Sequence, residues 1–261
     1  KLTDVSKNLV AGGGFSDVWL GKLDGKPVAI KRLRPFSVAV KSKIKSKLFQ
    51  RVWREYMIWS SISHPNILPF LGYSNIFSES QNASCEVPAL ISPWMSNGTL
   101  LQYLEENLKP NLDKLHMLVE IANGIEYLHS NNIVHGDIRA GNILMSEDGT
   151  PYITDFGLSR LLKESERGLT TSSNAAGSLR WMSPELLRGD LTKVNKESDV
   201  WAFGMTILEV MSGEHPFSEI KINAAVFGQL MKGILPSKPS ELTEPVWKIC
   251  HNCWMLDPAC R

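Results

Sequence analysis

The first third of the chain arranges its apolar and polar positions in short runs that are typical of β-strands. Residues 8–20 and 26–32 are rich in Val, Ala and Ile, and an Asp-Gly turn signal separates them at 24–25. These two runs predict a β-hairpin. Two more strand-like runs lie within 67–94, on either side of a polar segment at 78–86 that is rich in Ser, Asn and Gln and predicts a surface loop.

Helical spacing appears once among these strands and dominates after residue 95. The first helical pattern stops before His64-Pro65, and its apolar positions are Leu48, Val52, Met57, Trp59 and Ile62. Further on, the pattern predicts helices over 100–107, 113–130 and 198–211, the second with apolar residues at 115, 118, 121, 125 and 128. A β-rich part therefore precedes an α-rich part, with the boundary near Met95 to Gly98.

Composition and charge exclude several classes of function. The chain has 43% hydrophobic and 21% charged residues, which is ordinary for a soluble protein. Because 28 basic side chains stand against 27 acidic ones, nothing indicates a nucleic-acid partner. The most apolar stretch, 200–210, is shorter than the roughly 20 residues that cross a bilayer, and Glu209 interrupts it, so we expect a buried helix and no membrane insertion.

Four cysteines stand at 85, 250, 253 and 260. Cys250, His251 and Cys253 resemble half of a zinc site, but no second C-x-x-C or histidine pair completes a set of four ligands. We interpret the cysteines as unpaired thiols of a reducing compartment. The chain also opens without the pattern of a secretion signal, and we therefore expect a cytoplasmic protein.

Two features of the strand region suggest a phosphate site. The triplet at 12–14 is Gly-Gly-Gly, which lets a backbone cover a phosphate closely, although a simple tight turn would use it equally well. Lys31 ends the apolar run 28–31, where it would point back under the glycine triplet. The alternative is that Lys31 is an ordinary surface residue. Glu55 lies within the helical pattern and alone would be a solvated charge, but as a partner of Lys31 it would fix the flexible ammonium against phosphates.

The densest polar group lies between residues 133 and 157. Asp137 precedes Asn142 by five positions, and Asp155 follows after one predicted hairpin. Two carboxylates and an amide brought together by apolar strands form an oxygen-lined site that suits magnesium and not zinc. Taken singly, a core histidine at His135 and a capping role for Asp137 are the simpler explanations.

Taken together, these motifs resemble the eukaryotic protein kinase domain, over nearly the whole chain. The resemblance implies an α+β, bilobal fold over 1–261, with ATP and Mg²⁺ as cofactors. It places a small β-rich N-lobe with one regulatory helix over about 1–95 and a hinge over about 93–97. A larger, mainly α-helical C-lobe follows over about 98–261, and its last helix is expected to be missing.

The resemblance also implies a role for each polar residue. Lys31 is similar to the lysine on the α- and β-phosphates, and Glu55 to its helix partner. Asp137 resembles the catalytic base, with Arg139 as the accompanying cation, and the implied magnesium ligands are Asn142 and Asp155. The implied nucleotide-binding residues are Ala11, Gly12, Gly13, Gly14, Phe15, Val18, Ala29, Lys31, Ser92, Pro93, Met95 and Leu144.

Three positions further along complete the resemblance. The run 183–185 resembles the end of the family's activation segment, and Asp199 resembles the buried aspartate that braces the catalytic loop. Arg261 resembles the arginine that pairs with the glutamate closing that segment, here Glu185. We expect this pair to be largely buried.

The chain departs from the family pattern in two loops. Ala11, Gly13 and Ser16 occupy the three positions of the glycine loop, so only the middle glycine is kept. Gly136 replaces the arginine before the catalytic aspartate, which removes the usual receptor for an activation-loop phosphate. Ser178 resembles the hydroxyl of serine/threonine kinases, whereas the Arg-Trp-Met run at 180–182 resembles tyrosine kinases. This mixture is most similar to the tyrosine-kinase-like group, whose members mostly phosphorylate serine and threonine.

The resemblance therefore implies transfer of the γ-phosphoryl group of ATP to serine or threonine hydroxyls of protein substrates, in signalling. A tyrosine or dual-specificity kinase is the alternative for the acceptor. A pseudokinase scaffold typically lacks one of five polar residues, and this chain has Lys31, Glu55, Asp137, Asn142 and Asp155. The long segment 155–185 disfavours a small-molecule phosphotransferase. The sequence does not indicate an oligomeric state.

Overall fold

The computed structural model describes residues 1–12, 16–33, 53, 56–76, 88–107, 113–155, 178–189 and 194–261. Within these ranges the chain forms two compact units, Lys1–Ser96 and Asn97–Arg261. Several residues with a predicted role lie outside the described ranges: Gly13, Gly14, Phe15, Glu55, Cys85 and the polar segment 78–86.

An antiparallel sheet forms the body of the first unit. Its strands are β1 (Leu2–Thr3), β2 (Ala11–Gly12), β3 (Ser16–Leu23), β4 (Lys26–Leu33), β5 (Gly72–Ser74) and β6 (Ala89–Pro93). Their order is β1-β3-β4-β6-β5, and β2 pairs with β3. One face of the sheet forms a core from Val28 and Ile30 of β4 and Ala89 and Ile91 of β6.

The predicted hairpin is confirmed, with a correction to its first strand. Leu23 pairs with Lys26, so Asp24 and Gly25 form a two-residue turn with φ of 48° and 82°, the left-handed conformation that Asp-Gly favours. Residues 8–10 are not in a strand as predicted. They lie at the edge of the sheet, where Val10 stays 44% exposed although its N–H donates to the Val18 carbonyl at 3.0 Å.

The helical pattern before His64 corresponds to helical residues 56–61, here α1. Trp59 is buried and its indole N–H donates to the Leu68 carbonyl at 2.6 Å, which ties α1 to the following loop. Met57 is 58% exposed, so the predicted apolar face is wrong at this position.

Helices dominate the second unit. They are α2 (Leu100–Glu106), α3 (Lys114–Ser130), α4 (Pro184–Arg188), α5 (Lys196–Ser212), α6 (Asn223–Met231) and α7 (Glu244–Cys253). A two-stranded sheet of β7 (Ile143–Met145) and β8 (Pro151–Ile153) lies between α3 and α4 in the chain. Helices α2, α3 and α7 all pack on α5.

Polar side chains set the starts of the long helices. The carboxylate of Asp113 accepts from His116 N at 2.9 Å, so Asp113 caps α3 and the helix begins one residue later than predicted. Asn195 and Ser198 form a capping box, and α5 therefore begins at Lys196, two residues before the predicted start. Leu115 is 51% exposed in the first turn of α3, and the predicted apolar face is wrong there.

Helix α5 is the buried helix that the apolar run 200–210 predicts. Trp201, Met205 and Val210 are each 0% exposed. None of the helices in the described part of the chain is long and apolar enough to cross a membrane.

Candidate active site

Asp199 on α5 holds the start of the predicted catalytic loop. Its carboxylate is 1% exposed and accepts from His135 N at 2.8 Å and from Gly136 N at 2.7 Å. His129 Nε2 on α3 lies 2.9 Å from the same carboxylate. One buried side chain therefore joins α3, α5 and the loop, which is the bracing role that the resemblance implies.

Gly136 adopts a conformation that other residues adopt at a cost. Its φ is +79°, and a Cβ there would lie 3.0 Å from a methyl group of Val194. The arginine usual in the family would thus meet both backbone strain and a tight contact in this loop.

His135 connects the loop to the end of β8. Its ring is fully buried, with Nε2 2.9 Å from the Thr154 carbonyl, and Nδ1 accepts from Asp137 N at 3.1 Å. Because Nδ1 accepts, Nε2 carries the proton that is donated to Thr154. His135 is therefore a core histidine, as the simpler explanation held, and it also sets the backbone position of Asp137.

The Asp137 side chain is oriented by two later residues of the loop. Asn142 Nδ2 donates to the Asp137 carbonyl and to its Oδ2, each at 2.8 Å. Arg139 Nε lies 3.9 Å from the same Oδ2. The short helix that follows, Ala140–Asn142, begins after Arg139 without a side-chain cap, so the capping role for Asp137 is wrong. The carboxylate is 21% exposed and accessible to a ligand.

The β7–β8 hairpin places Asn142 and Asp155 at one end of the small sheet. Ile143 pairs with Ile153, and Thr154 N donates to the Asn142 carbonyl at 3.0 Å. Asp155 follows with a φ of 63°, a left-handed conformation that aspartate tolerates better than most residues. Since Nδ2 of Asn142 is used by Asp137, its Oδ1 is the atom left for a ligand. An amide oxygen and a carboxylate are donors that fit Mg²⁺.

Glu209 on α5 is a site residue for which the sequence supplied only a weak signal, an acid within an apolar run. It is 1% exposed, and its Oε2 accepts from Ala140 N at 2.9 Å and from Trp181 Nε1 at 3.1 Å. Burial raises the pKa of Glu209 to about 7, although these two bonds and the charge of Arg139 act in the opposite direction. The Arg139 guanidinium lies 5.7 Å from the centre of the Trp181 ring.

Arg180 is committed to backbone carbonyls. The residue is 7% exposed, and its guanidinium donates to the carbonyls of Pro216, Phe217 and Ile220 at 2.6 to 3.0 Å. These bonds fix the turn Leu179–Trp181 to the segment after α5. Arg180 is therefore occupied as an anchor of that turn.

The predicted pair of Glu185 and Arg261 is present and buried. Arg261 Nη1 and Nη2 donate to the two carboxylate oxygens at 2.6 and 3.0 Å, and the Arg261 side chain is 0% exposed. Burial raises the pKa of Glu185, but the hydrogen bonds from Arg261 and neighbouring groups, together with the positive charge of Arg261, outweigh it, so this pKa lies below its usual value.

In the first unit, the sheet aligns four of the predicted nucleotide-binding residues. Val18 pairs with Lys31, and Ala29 pairs with Ser92. Ala29 and Lys31 alternate along β4 with Val28 and Ile30, which belong to the core. Ala29 and Lys31 therefore lie on the face of β4 opposite the core.

The cysteines of the second unit differ in exposure. Cys250 and Cys253 are buried, and Cys260 is exposed. Burial raises the pKa of Cys250 to about 12 and that of Cys253 to about 11, so both are protonated thiols at neutral pH. Among the described residues, no three His, Cys, Asp or Glu side chains form a group that could hold a metal.

Comparison with known proteins shows the family to which the chain belongs. A family model described as protein tyrosine and serine/threonine kinase matches residues 5–261. Serine/threonine-protein kinase STY17 of Arabidopsis thaliana is 27% identical over 256 residues, which are 97% of this chain and 41% of that protein. Mitogen-activated protein kinase kinase kinase 10 of Homo sapiens is 31% identical over 268 residues, 97% of this chain and 26% of that protein.

A third relative is serine/threonine-protein kinase TNNI3K of Mus musculus, 31% identical over 261 residues that cover 97% of this chain and 29% of that protein. The chain thus spans between 26% and 41% of the length of these relatives. With the family model matched over 5–261, the chain belongs to the protein tyrosine and serine/threonine kinase family and has its α+β protein kinase fold.

Proposed function

We propose that the chain is a protein kinase that uses ATP and Mg²⁺ to phosphorylate serine and threonine hydroxyls of protein substrates. The observation that carries this proposal is the Asp137 carboxylate, partly exposed and oriented by Asn142 Nδ2 at 2.8 Å. Family membership and the serine/threonine kinases among the relatives support it.

Asp137 orients the acceptor in this proposal. Its carboxylate accepts a hydrogen bond from the substrate hydroxyl and takes the proton as the hydroxyl oxygen forms its bond to the γ-phosphorus. The bond between that phosphorus and the β,γ-bridging oxygen of ATP breaks in the same step, and ADP leaves with the bridging oxygen. Arg139, 3.9 Å from Asp137 Oδ2, keeps a positive charge beside this carboxylate. Asn142 and Asp155 would hold Mg²⁺, which when bound neutralises the charge that develops on the phosphates.

The nucleotide is assigned to residues of both units by the family pattern alone. Lys31 would bind the α- and β-phosphates with Glu55 as its partner. Ala11 and Gly12, with residues 13–15, would cover the phosphates. The purine would contact Val18, Ala29, Ser92, Pro93, Met95 and Leu144.

A pseudokinase scaffold is the main alternative from another functional class, and a tyrosine or dual-specificity kinase is the alternative for the acceptor. Ser178 and the serine/threonine kinases among the relatives support serine and threonine as the acceptor residues. Arg180 and Trp181, by contrast, resemble the residues of tyrosine kinases.

We also propose that the chain has protein partners in a signalling pathway and that it is located in the cytoplasm. Subcellular fractionation would test the location.

The decisive experiment measures transfer of labelled γ-phosphate to a degenerate peptide library. Asp137→Asn should abolish transfer. Asp148→Asn is the matched control, because this aspartate lies in the exposed β7–β8 turn of the same unit, where its carboxylate accepts from the hydroxyls of Ser146 and Thr150. Chelation of Mg²⁺ should also abolish transfer.

A wild-type protein that binds ATP but transfers no more label than Asp137→Asn would establish the scaffold instead. Phosphoamino-acid analysis decides the acceptor, since a product that is mainly phosphotyrosine contradicts the serine/threonine assignment.

A further inference from the structure

A cavity lies between α3 and α5 in the second unit, and its lining includes none of the residues assigned to ATP, Mg²⁺ or the acceptor. Its volume is about 420 Å³, within the range of roughly 300 to 1,000 Å³ that is typical of small-molecule sites. The apolar part of its lining consists of Ala122, Ile125, Val200 and Phe203. The cavity therefore has the size and the apolar surface that a small ligand requires.

The spacing of the lining residues explains why one cavity collects them. Residues 122, 125, 126 and 129 recur at helical intervals and share one face of α3, and residues 196, 200 and 203 do the same on α5. Ala122 has a small side chain, which leaves room between the two faces. Val200 and Phe203 are only partly buried, although α5 is otherwise largely buried. Apolar surface of α5 is thus open to a ligand.

Glu126 supplies a negative charge at the edge of this cavity. It is exposed, and among the residues that the structure describes its carboxylate makes no hydrogen bond and no ion pair. Lys196, the cation of the lining, is already engaged, because its Nζ donates to Asn132 Oδ1 at 3.2 Å. Charge complementarity therefore favours a ligand that carries a positive charge.

His129 offers a second acceptor to the same ligand. Its Nε2 lies 2.9 Å from Asp199 Oδ2. Because a carboxylate only accepts, Nε2 carries the proton, and Nδ1 of the neutral ring is left as an acceptor. No described residue donates to this Nδ1. Glu126 and His129 are three positions apart on α3, so one donor group can approach both.

We propose that the cavity between α3 and α5 binds an amphipathic amine, a molecule with an apolar ring and a protonated amino group, and that this ligand acts on the catalytic loop through His129. The ring lies against the apolar residues of both helices. The ammonium donates to the Glu126 carboxylate and to His129 Nδ1, and the charge makes these hydrogen bonds stronger than neutral ones.

A single side chain connects this site to the catalytic loop. The Asp199 carboxylate that His129 contacts also accepts from the backbone N–H groups of His135 and Gly136. An ammonium on Nδ1 fixes the tautomer of His129 whose Nε2–H donates to Asp199. Occupancy of the cavity therefore changes the surroundings of both loop amides without direct contact.

The test uses three probes that share an indole ring. Tryptamine carries an ammonium, indole-3-propionate carries a carboxylate, and 3-methylindole is uncharged. Binding is followed by ¹⁵N NMR titration at low salt, because salt screens ion pairs at an exposed edge. We expect tryptamine to bind most tightly and to shift the amides of His135 and Gly136. Indole-3-propionate should bind most weakly, since Glu126 repels it.

Two substitutions and one control locate the site. Glu126→Gln should weaken tryptamine about fivefold, the upper end for an exposed ion pair, and leave 3-methylindole unchanged. Glu120→Gln is the matched control, because Glu120 is an acid on α3 outside the lining, 3.9 Å from His116 Nε2. Ala122→Phe fills the cavity and should abolish binding of all three probes. Thermal unfolding without a probe shows whether each variant is folded, and Glu126→Gln decides alone if Ala122→Phe is not.

No binding of tryptamine at millimolar concentration, or equal affinities for the three probes, would overturn the inference. Equal effects of Glu126→Gln and Glu120→Gln would also overturn it, as would tryptamine binding that a folded Ala122→Phe retains. Saturation with tryptamine that leaves the amides of His135 and Gly136 unshifted would overturn the connection to the catalytic loop. None of these measurements requires phosphoryl transfer, so failure of the proposed kinase function leaves the inference standing or falling on its own.

Discussion

Arg261 and Glu185 lie 76 positions apart in the chain and meet in a two-point ion pair, with the Arg261 side chain 0% exposed. The guanidinium also lies 4.9 Å from the centre of the Trp201 ring on α5. The pair therefore connects α4 and the end of the described chain to α5.

Removing either partner should strongly lower the free energy of unfolding. Arg261→Ala and Glu185→Ala each leave an unpaired buried charge, which typically costs about 3 to 5 kcal/mol. The double variant should cost much less than the sum of the two, and urea unfolding of all four proteins measures this. Lys238 and Glu244 form an exposed ion pair in the same unit, where single substitutions should cost under about 1 kcal/mol. Strict additivity at 185 and 261 would show that the pair does not act as a unit.

Gly136→Ala should destabilise the protein by more than its backbone strain alone. A left-handed alanine costs about 1 to 2 kcal/mol, and at 136 the new Cβ would also press on Val194 at 3.0 Å. Gly213→Ala is the control, since Gly213 has a φ of +77° and open space around it. Thermal unfolding should show the larger loss at 136, and equal losses would contradict the contact.

Because of Glu209, the protein should become less stable as the pH rises. Its folded pKa of about 7 lies above the ordinary value of 4.5, so the folded state retains a proton that the unfolded state releases. The free energy of unfolding should therefore fall as pH rises from about 4.5 to about 7, by about 3 kcal/mol at 1.36 kcal/mol per pKa unit. Urea titrations at pH 5 and pH 8 should show this fall in the wild type and not in Glu209→Gln. A parallel fall in both proteins would assign the effect to other groups.

Activity should depend little on phosphorylation of the segment before Ser178, where Thr170, Thr171, Ser172 and Ser173 lie outside the described residues. Gly136 offers no guanidinium, and Arg180 is engaged by three carbonyls. Phosphatase treatment should leave kcat at saturating ATP within a few-fold of the untreated value. A loss of about a hundredfold, about 3 kcal/mol, would reveal a phosphate receptor elsewhere.

Some elements of the fold can be predicted because they depend on residues that are close together in the chain. The Asp-Gly turn at 24–25 and the cap at Asp113 depend on neighbours in the chain, and the hairpin that brings Asn142 towards Asp155 follows from apolar strands around a short turn. Glu209 is different, because its partners Ala140 and Trp181 lie 69 and 28 positions away. Apolar spacing does not encode such contacts. Helices α4, α6 and α7 have no counterpart among the predicted elements. Helix α4 has only five residues and places Glu185 among its buried positions, so apolar spacing does not mark it.

Helix α5 also sets the length of the catalytic loop. Asp199 binds the amides of His135 and Gly136, and Glu209 binds that of Ala140. Ten helical residues advance about 15 Å, so the two carboxylates hold the loop at two well-separated points along α5. A residue inserted or deleted between Gly136 and Ala140 would detach the loop from one of them, so α5 constrains the number of residues in this stretch as well as the position of Asp137 within it.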